Sequence, residues 1–324
     1  MFRQTVFKVL RVSISLFLLG LVLWLSGLFD PQGRADFLAQ LQGANIQFLV
    51  LSIAAGVVVN MSSALKWHWL ARANGLVVGY WRIFCYYVIG QFYNLFLPTS
   101  VGGDVVRSYE LGRFTGNQSA ALASVFVERY TGVVTLLVFA ILAFVLQISI
   151  FNVDFVVVSL VFFSIGLGLI AWAVIDRRPY LWVRTKLVNR APRLETIFSK
   201  LDKLVFSINE YRNQPKAILF AFLNSGVFYG LATLNVFLTA LVFAPNVVWL
   251  HALAATPIIM LIMNIPLSVG NIGLMEFAYT SVFALLGYDP ALGLSIALLM
   301  RAKSLIDGIM GGVLQPFFVT RSVN

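Results

Sequence analysis

Residues 94–107 read Asn94-Leu-Phe-Leu-Pro98-Thr-Ser100-Val-Gly102-Gly103-Asp104-Val-Val-Arg107. A proline, two adjacent glycines, a carboxylate and a guanidinium stand where an apolar run should have continued. In a soluble protein this would be an ordinary loop. Here, however, 60% of the residues are hydrophobic, 11% are charged, and mean hydropathy is +0.89. Such proportions describe an all-α polytopic membrane protein. A charged segment broken by Gly and Pro is costly in hydrocarbon and marks a functional site by default. Residues 265–276 echo it as Ile265-Pro266-Leu-Ser268-Val-Gly270-Asn-Ile-Gly273-Leu-Met-Glu276. Both stretches carry Pro-x-Ser-Val-Gly with a charge a few residues later.

The totals exclude several function classes. The 324 residues leave no room for a large soluble domain beside the apolar segments. A formal net charge of +10 can signal nucleic acid. In a membrane chain it reads instead as positive-inside bias and attraction to anionic lipid, so no nucleic-acid partner is expected. The single cysteine, Cys85, excludes an internal disulfide. His68 and His251 stand far apart without a ligand cluster, so neither a metal site nor a cofactor is expected. Arg3, Lys8 and Arg11 before an apolar run imitate a signal peptide. The run to Phe29 is long enough to span, with no small-x-small cleavage site after it, so it reads as an uncleaved first transmembrane helix.

Spans are expected near Val9–Phe29, Phe48–Leu65, Ser119–Ile148, Phe155–Ile175 and Ala217–Phe243, with a last helix from Ala291 to about Val319. Lys66, Trp67, His68, Trp69 and Arg72 look like an aromatic and basic interface belt. Ile83–Leu97 holds fifteen residues before Pro98. That is about 22 Å of helix against a hydrocarbon core of about 30 Å. Leu250–Ile265 is similarly short before Pro266. At the centre of the chain, residues 176–216 contain ten Lys and Arg against four acids and must be cytoplasmic. Helical spacing of Leu194, Ile197, Phe198, Leu201, Leu204, Val205 and Ile208 allows two readings there: an amphipathic helix on the membrane surface, or a cytosolic helical hairpin.

Parity decides the topology. With the N-terminus, the Lys66–Arg82 loop and the 176–216 loop all inside, residues 83–116 must enter and leave on one side. A re-entrant hairpin satisfies both length and parity. The same count makes residues 250–287 a hairpin entering from outside, with both termini cytoplasmic. The expected architecture is an inverted repeat, residues 1–150 and 151–324, each with three membrane-spanning helices and one re-entrant hairpin. Charged positions correspond on this reading: Glu128 and Arg129 after the first hairpin, Arg301 and Lys303 after the second. Inverted repeats with broken helices meeting near the midplane are typical of secondary transporters.

Pro98 and Pro266 end the descending limbs. Gly102, Gly103, Gly270 and Gly273 permit tight turns or close approach of another backbone or a headgroup. Ser100 and Ser268 are placed to cap the ascending limbs, whose positive ends suit a phosphate or carboxylate. Asp104, Arg107, Glu128, Arg129, Glu276, Arg301 and Asp307 form a buried-charge set with two readings. They pair among themselves and hold the halves together, or they line a polar cavity. In the cavity, Arg107, Arg129 and Arg301 bind an anionic headgroup while Asp104, Glu128 and Glu276 balance them. Asn94 either lines the same cavity or packs helices.

The run from Gln91 to Arg107 resembles the Phe-x-Asn-x-x-x-Pro-x-x-x-Gly-Gly-Asp-x-x-Arg pattern of the lysylphosphatidylglycerol synthase transmembrane-region family, also called flippase-like. Glu128-Arg129 is similar to its Glu-Arg pair, and Pro266, Ser268 and Glu276 to its C-terminal half. The resemblance covers nearly the whole chain and implies movement of a lipid headgroup across the membrane. With no aminoacyl-transferase domain before Asn324, synthesis of lysyl-lipid is not expected.

The leading expectation is therefore a non-enzymatic phospholipid flippase in the cell inner (plasma) membrane, moving an anionic or phosphate-bearing headgroup. No Walker motif is visible, so ATP is not its own energy source. An ion gradient is the alternative source. A lipid-headgroup enzyme with Asp104 or Glu128 as acid or base is the second reading. It lacks a clear nucleophile–base pair. A scaffold for a lipid-modifying enzyme is the third. Membrane lipids are the expected partners, and a second copy or such an enzyme the expected protein contact.

Overall fold

The computed structural model describes residues 13, 16–97, 102–146, 161, 163–169, 172, 177–190, 195–265 and 267–318. Pro98, Ser100, Pro266 and residues 155–160 of one expected span lie outside these. The chain is all-α, and among the described residues there is no strand. In order come α1 Leu16–Leu25, α2 Pro31–Gln42, α3 Ile46–Ala73, α4 Tyr80–Phe96, α5 Gly102–Thr115 and α6 Gln118–Leu146. The second half adds α7 Arg177–Arg190, α8 Glu195–Glu210, α9 Pro215–Leu241, α10 Trp249–Met263, α11 Leu274–Leu285 and α12 Pro290–Phe318.

Helices α3, α6 and α9 are long and apolar enough to cross a membrane. Asn45 starts α3, its Oδ1 accepting from the amides of Gln47 and Phe48 at 2.9 and 3.4 Å. Such caps satisfy amides that have no partner within the helix. Helix α12 has 29 residues but carries Arg301, Lys303 and Asp307 near its middle. The pairs α4/α5 and α10/α11, of 17, 14, 15 and 12 residues, fall short of the roughly 20 that a spanning helix requires. Each pair packs against itself. In addition, α3 packs on α9, α4 on α12, and α10 on α6.

One apolar core gathers Trp67, Ile83, Tyr86 and Leu111 from α3, α4 and α5. A second gathers Ile259, Phe283 and Ile296 from α10, α11 and α12. Helix α8 docks on a third, made by Leu70, Ala123, Val127, Ile208, Tyr211 and Ala221.

Residues 31–42 form a helix, begun by Pro31 at its first position. Lys66, Trp67 and His68 do not form an interface belt, because α3 runs on to Ala73 and turns all three inward, leaving Trp69 and Arg72 exposed. The basic centre folds into two helices, α7 and α8, whose charged side chains meet. Arg184 of α7 pairs with Glu195 at 2.7 Å and Asp202 at 3.2 Å, and α8 packs on α6. Tyr180 of α7 donates to Asp202 at 2.6 Å, and burial together with that bond pushes its phenol up to about 12.

Candidate functional site

The first motif folds around Asn94. Its Oδ1 accepts from the Gly103 amide at 2.8 Å, so the last turn of α4 caps the start of α5. Gly102 begins that helix. A Cβ on Gly103 would lie 2.6 Å from Asn94 Oδ1 and meet Gly90 O as well, so glycine is what lets the limbs close. Gly103→Ala is expected to lower stability by about 1–3 kcal/mol. Thermal melting in detergent checks it, and an unchanged midpoint would contradict this packing.

Asp104 follows in the first turn of α5, where the helix dipole favours a carboxylate. It holds two arginines. Arg107, one turn on, donates through Nε at 2.9 Å. Arg129 of α6 makes a two-point fork, Nε to Oδ2 and Nη2 to Oδ1, both at 2.7 Å. Arg107 also reaches Glu128 Oε2 at 2.7 Å, and its guanidinium carbon lies 4.5 Å from the centre of the Trp67 ring. Ser63 of α3 donates to the other Glu128 oxygen at 3.4 Å.

Exposure separates the two arginines. The Arg107 side chain is 2% exposed and that of Arg129 51%. Arg107 is sealed among its partners. Arg129 is fixed along one edge and open along the other. Nearby, Lys66 is buried and donates to Ser225 Oγ of α9 at 3.0 Å, close enough that Arg107, Glu128 and Arg129 act on its charge.

The second motif is built differently but ends the same way. Gly270 and Asn271 have φ of +55° and +56°, and Gly273 has φ of +80°. Ser268 does not cap: its buried oxygen finds no partner among the described residues. The Gly273 amide is satisfied instead by Glu276 Oε2 at 2.8 Å, because a carboxylate at the third helical position reaches back over the first turn. Glu276 in turn receives the Arg301 guanidinium through both Nε and Nη2. Arg301 also donates to Asn271 O at 2.9 Å, pinning the loop.

Arg129 and Arg301 hold like places in the two motifs. Asp104 and Arg129 are 25 residues apart, as are Glu276 and Arg301. In both cases the carboxylate is the third residue of a short helix and the arginine lies on the long helix after it. At each helix start one amide, that of Gly103 or of Gly273, is taken by a side chain of the protein itself. The cationic surface left over belongs to the arginines.

The two loops meet. An added Cβ on Gly270 would lie 3.3 Å from Leu95 O, and a pocket of about 200 Å³ opens between the tips. Gln91, Asn94, Asn271 and Ser304 supply its polar lining. Asp307 lies apart from both clamps, accepting from Asn60 Nδ2 of α3 at 2.8 Å. Sequence reasoning missed Lys66, Trp67, Gln91, Asn271 and Ser304 as neighbours of the site.

The profile described as "Lysylphosphatidylglycerol synthase TM region" matches residues 9–311. A curated relative, the UPF0104 membrane protein PH1989 of Pyrococcus horikoshii, is 21% identical over 95% of this chain and 96% of its own length. No solved structure matches. The chain belongs to the lysylphosphatidylglycerol synthase transmembrane-region family of integral membrane proteins.

Proposed function

We propose that this protein is a flippase-like transporter that moves a lipid with an anionic, phosphate-bearing headgroup between membrane leaflets. The observation that carries this reading is the charge of the first cluster. Lys66, Arg107 and Arg129 stand against Asp104 and Glu128, leaving one positive charge in excess at the membrane interior. A monoanion balances it, and an intramembrane charge must be balanced. The open edge of Arg129 suits a phosphate oxygen, and its planar fork is already oriented by Asp104.

The packing supports an inverted repeat. Contacts of α4 with α5 and of α5 with α6 have counterparts in α10 with α11 and α11 with α12. Across the halves, α4 on α12 answers α10 on α6, with α3 and α9 together at the centre. On this reading residues 1–150 and 151–324 are oppositely oriented halves, with hairpins at about 83–116 and 250–287 and the clamps near the midplane. In a Cys85→Ser background, single cysteines at Gln118 and Lys203 are expected to label from the cytoplasm. Cysteines at Asn246 and Asp289 are expected to label from outside. External labelling at Gln118 would remove the re-entrant hairpin.

The pocket's polar groups, three amide side chains and the Ser304 hydroxyl, include no base. Asp104 and Glu128, the acid–base candidates, are both held by arginine. These features favour transport over chemistry on the headgroup. The test is lipid selectivity. Phosphatidylglycerol is expected to raise the melting temperature of the purified protein by several degrees more than phosphatidylcholine, and to be recovered chemically unchanged. Equal effects would contradict an anionic substrate, and an altered headgroup would favour the enzyme.

A further inference from the structure

Buried arginines and buried lysines have different partners in this protein. Arg107, Arg129 and Arg301 all hold carboxylates. Lys66 donates to Ser225 Oγ within reach of the Glu128 charge, whereas the direct partners of Lys303 are all neutral. Lys303, near the middle of α12 and 9% exposed, donates to Asn235 Oδ1 at 2.7 Å and Thr239 Oγ1 at 2.8 Å, both on α9. Asp307 is one turn further along α12. Its Oδ2 is bound by Asn60 of α3 rather than by the lysine. The node thus joins α12 to α3 and α9.

Arginine keeps its proton under any physiological condition, whereas lysine exists in both forms. A carboxylate partner would tie Lys303 to its charged form. Two neutral acceptors do not: the ammonium and the amine each donate to Asn235 and Thr239. From α9 the lysine thus faces no titratable group, and from α3 it faces Asn60. On α4 and α11, Tyr93 is engaged by Gln315, and Glu276 by Arg301. Among the described residues, Asp307 is the charge that acts on Lys303.

We propose that the Lys303–Asp307 node is a proton site that couples lipid movement to a proton gradient. This rests on the transport reading above. One proton joins the Lys303 amine lone pair from one side of the membrane and leaves to the other; only an N–H bond forms and breaks. A sodium ion is a poorer occupant, since the Asn235 and Thr239 oxygens are already bonded to the amine and no ring of free oxygen ligands remains.

The test uses full-length protein in vesicles containing labelled phosphatidylglycerol, with the membrane potential clamped. One proton carried with one monoanionic lipid is electroneutral, so a pH difference of one unit should drive the leaflet ratio towards about tenfold. Lys303→Met and Lys303→Arg fix the node without and with charge. Both should still equilibrate the lipid at equal pH, within about twofold of the wild-type rate, yet show a leaflet ratio near one under the pH difference. Lys303→Arg keeps the donors to Asn235 and Thr239, so it guards against a packing defect in the methionine variant, and melting temperatures are compared. Wild-type equilibration without pH bias, or bias retained in both variants, overturns the proton site and leaves transport standing. No lipid movement at any pH overturns both.

Discussion

Replacing Arg107 with alanine should cost about 3–5 kcal/mol and prevent accumulation of a stable protein, the range seen when one partner of a buried ion pair is removed. The guanidinium touches Asp104 and Glu128 at once and lies against Trp67. Asp104 would keep Arg129, but Glu128 would keep only its long bond from Ser63. The orphan is therefore Glu128. Adding Glu128→Gln to Arg107→Ala should restore much of the yield and the melting temperature, whereas adding Asp104→Asn should not. A single Arg107→Ala variant melting like the wild type would refute this assignment. Arg107 is the sealed counter-ion of the core, and on the transport reading proposed above the headgroup contact falls to its more open neighbour.

That neighbour is the second large effect. Arg129→Gln should reduce lipid movement 10- to 150-fold, the equivalent of about 1.5–3 kcal/mol for a lost charged hydrogen bond. Asp104 keeps Arg107, so no buried acid is left alone and the melting temperature should change far less than in Arg107→Ala. Arg129→Lys should recover only part of the activity, because an ammonium is a point charge and cannot hold Asp104 along one edge while presenting another. Arg301→Lys carries the added loss of the bond to Asn271 O, which should loosen the second loop as well. Leaflet exchange and detergent melting measured on the same preparations separate the two arginines. If Arg129→Gln flips lipid normally, the open guanidinium edge is not the headgroup contact.

Much of this site could be read from the chain. Asp104, Arg129, Glu276 and Arg301 stand out because charge in an apolar run has no ordinary explanation. The glycines announced a tight turn, which Gly270 supplies, and a close approach, which Gly103 supplies. What spacing could not disclose was which face each side chain takes. Lys66-Trp-His-Trp at the end of an apolar run looks like an interface belt whether or not the helix continues. The seven further residues to Ala73 turned Lys66 and Trp67 inward. Distance along the helix set Glu128–Arg129 against Arg301–Lys303; distance from the preceding carboxylate adds the 25-residue spacing shared by Arg129 and Arg301. Ser268 was a reasonable cap until Glu276, three residues after Gly273, proved able to fold back and satisfy that amide itself.

The most direct test of the account is leaflet exchange by the wild-type protein alone. Vesicles containing it, without ATP or any other protein, are loaded with headgroup-labelled phosphatidylglycerol, and the outer-leaflet label is destroyed by an impermeant reductant. Label from the inner leaflet is expected to become reducible in protein-containing vesicles at least about tenfold faster than in protein-free ones, and phosphatidylcholine carrying the same label to move no faster than in protein-free vesicles. Inner-leaflet phosphatidylglycerol staying protected as in protein-free vesicles would contradict it.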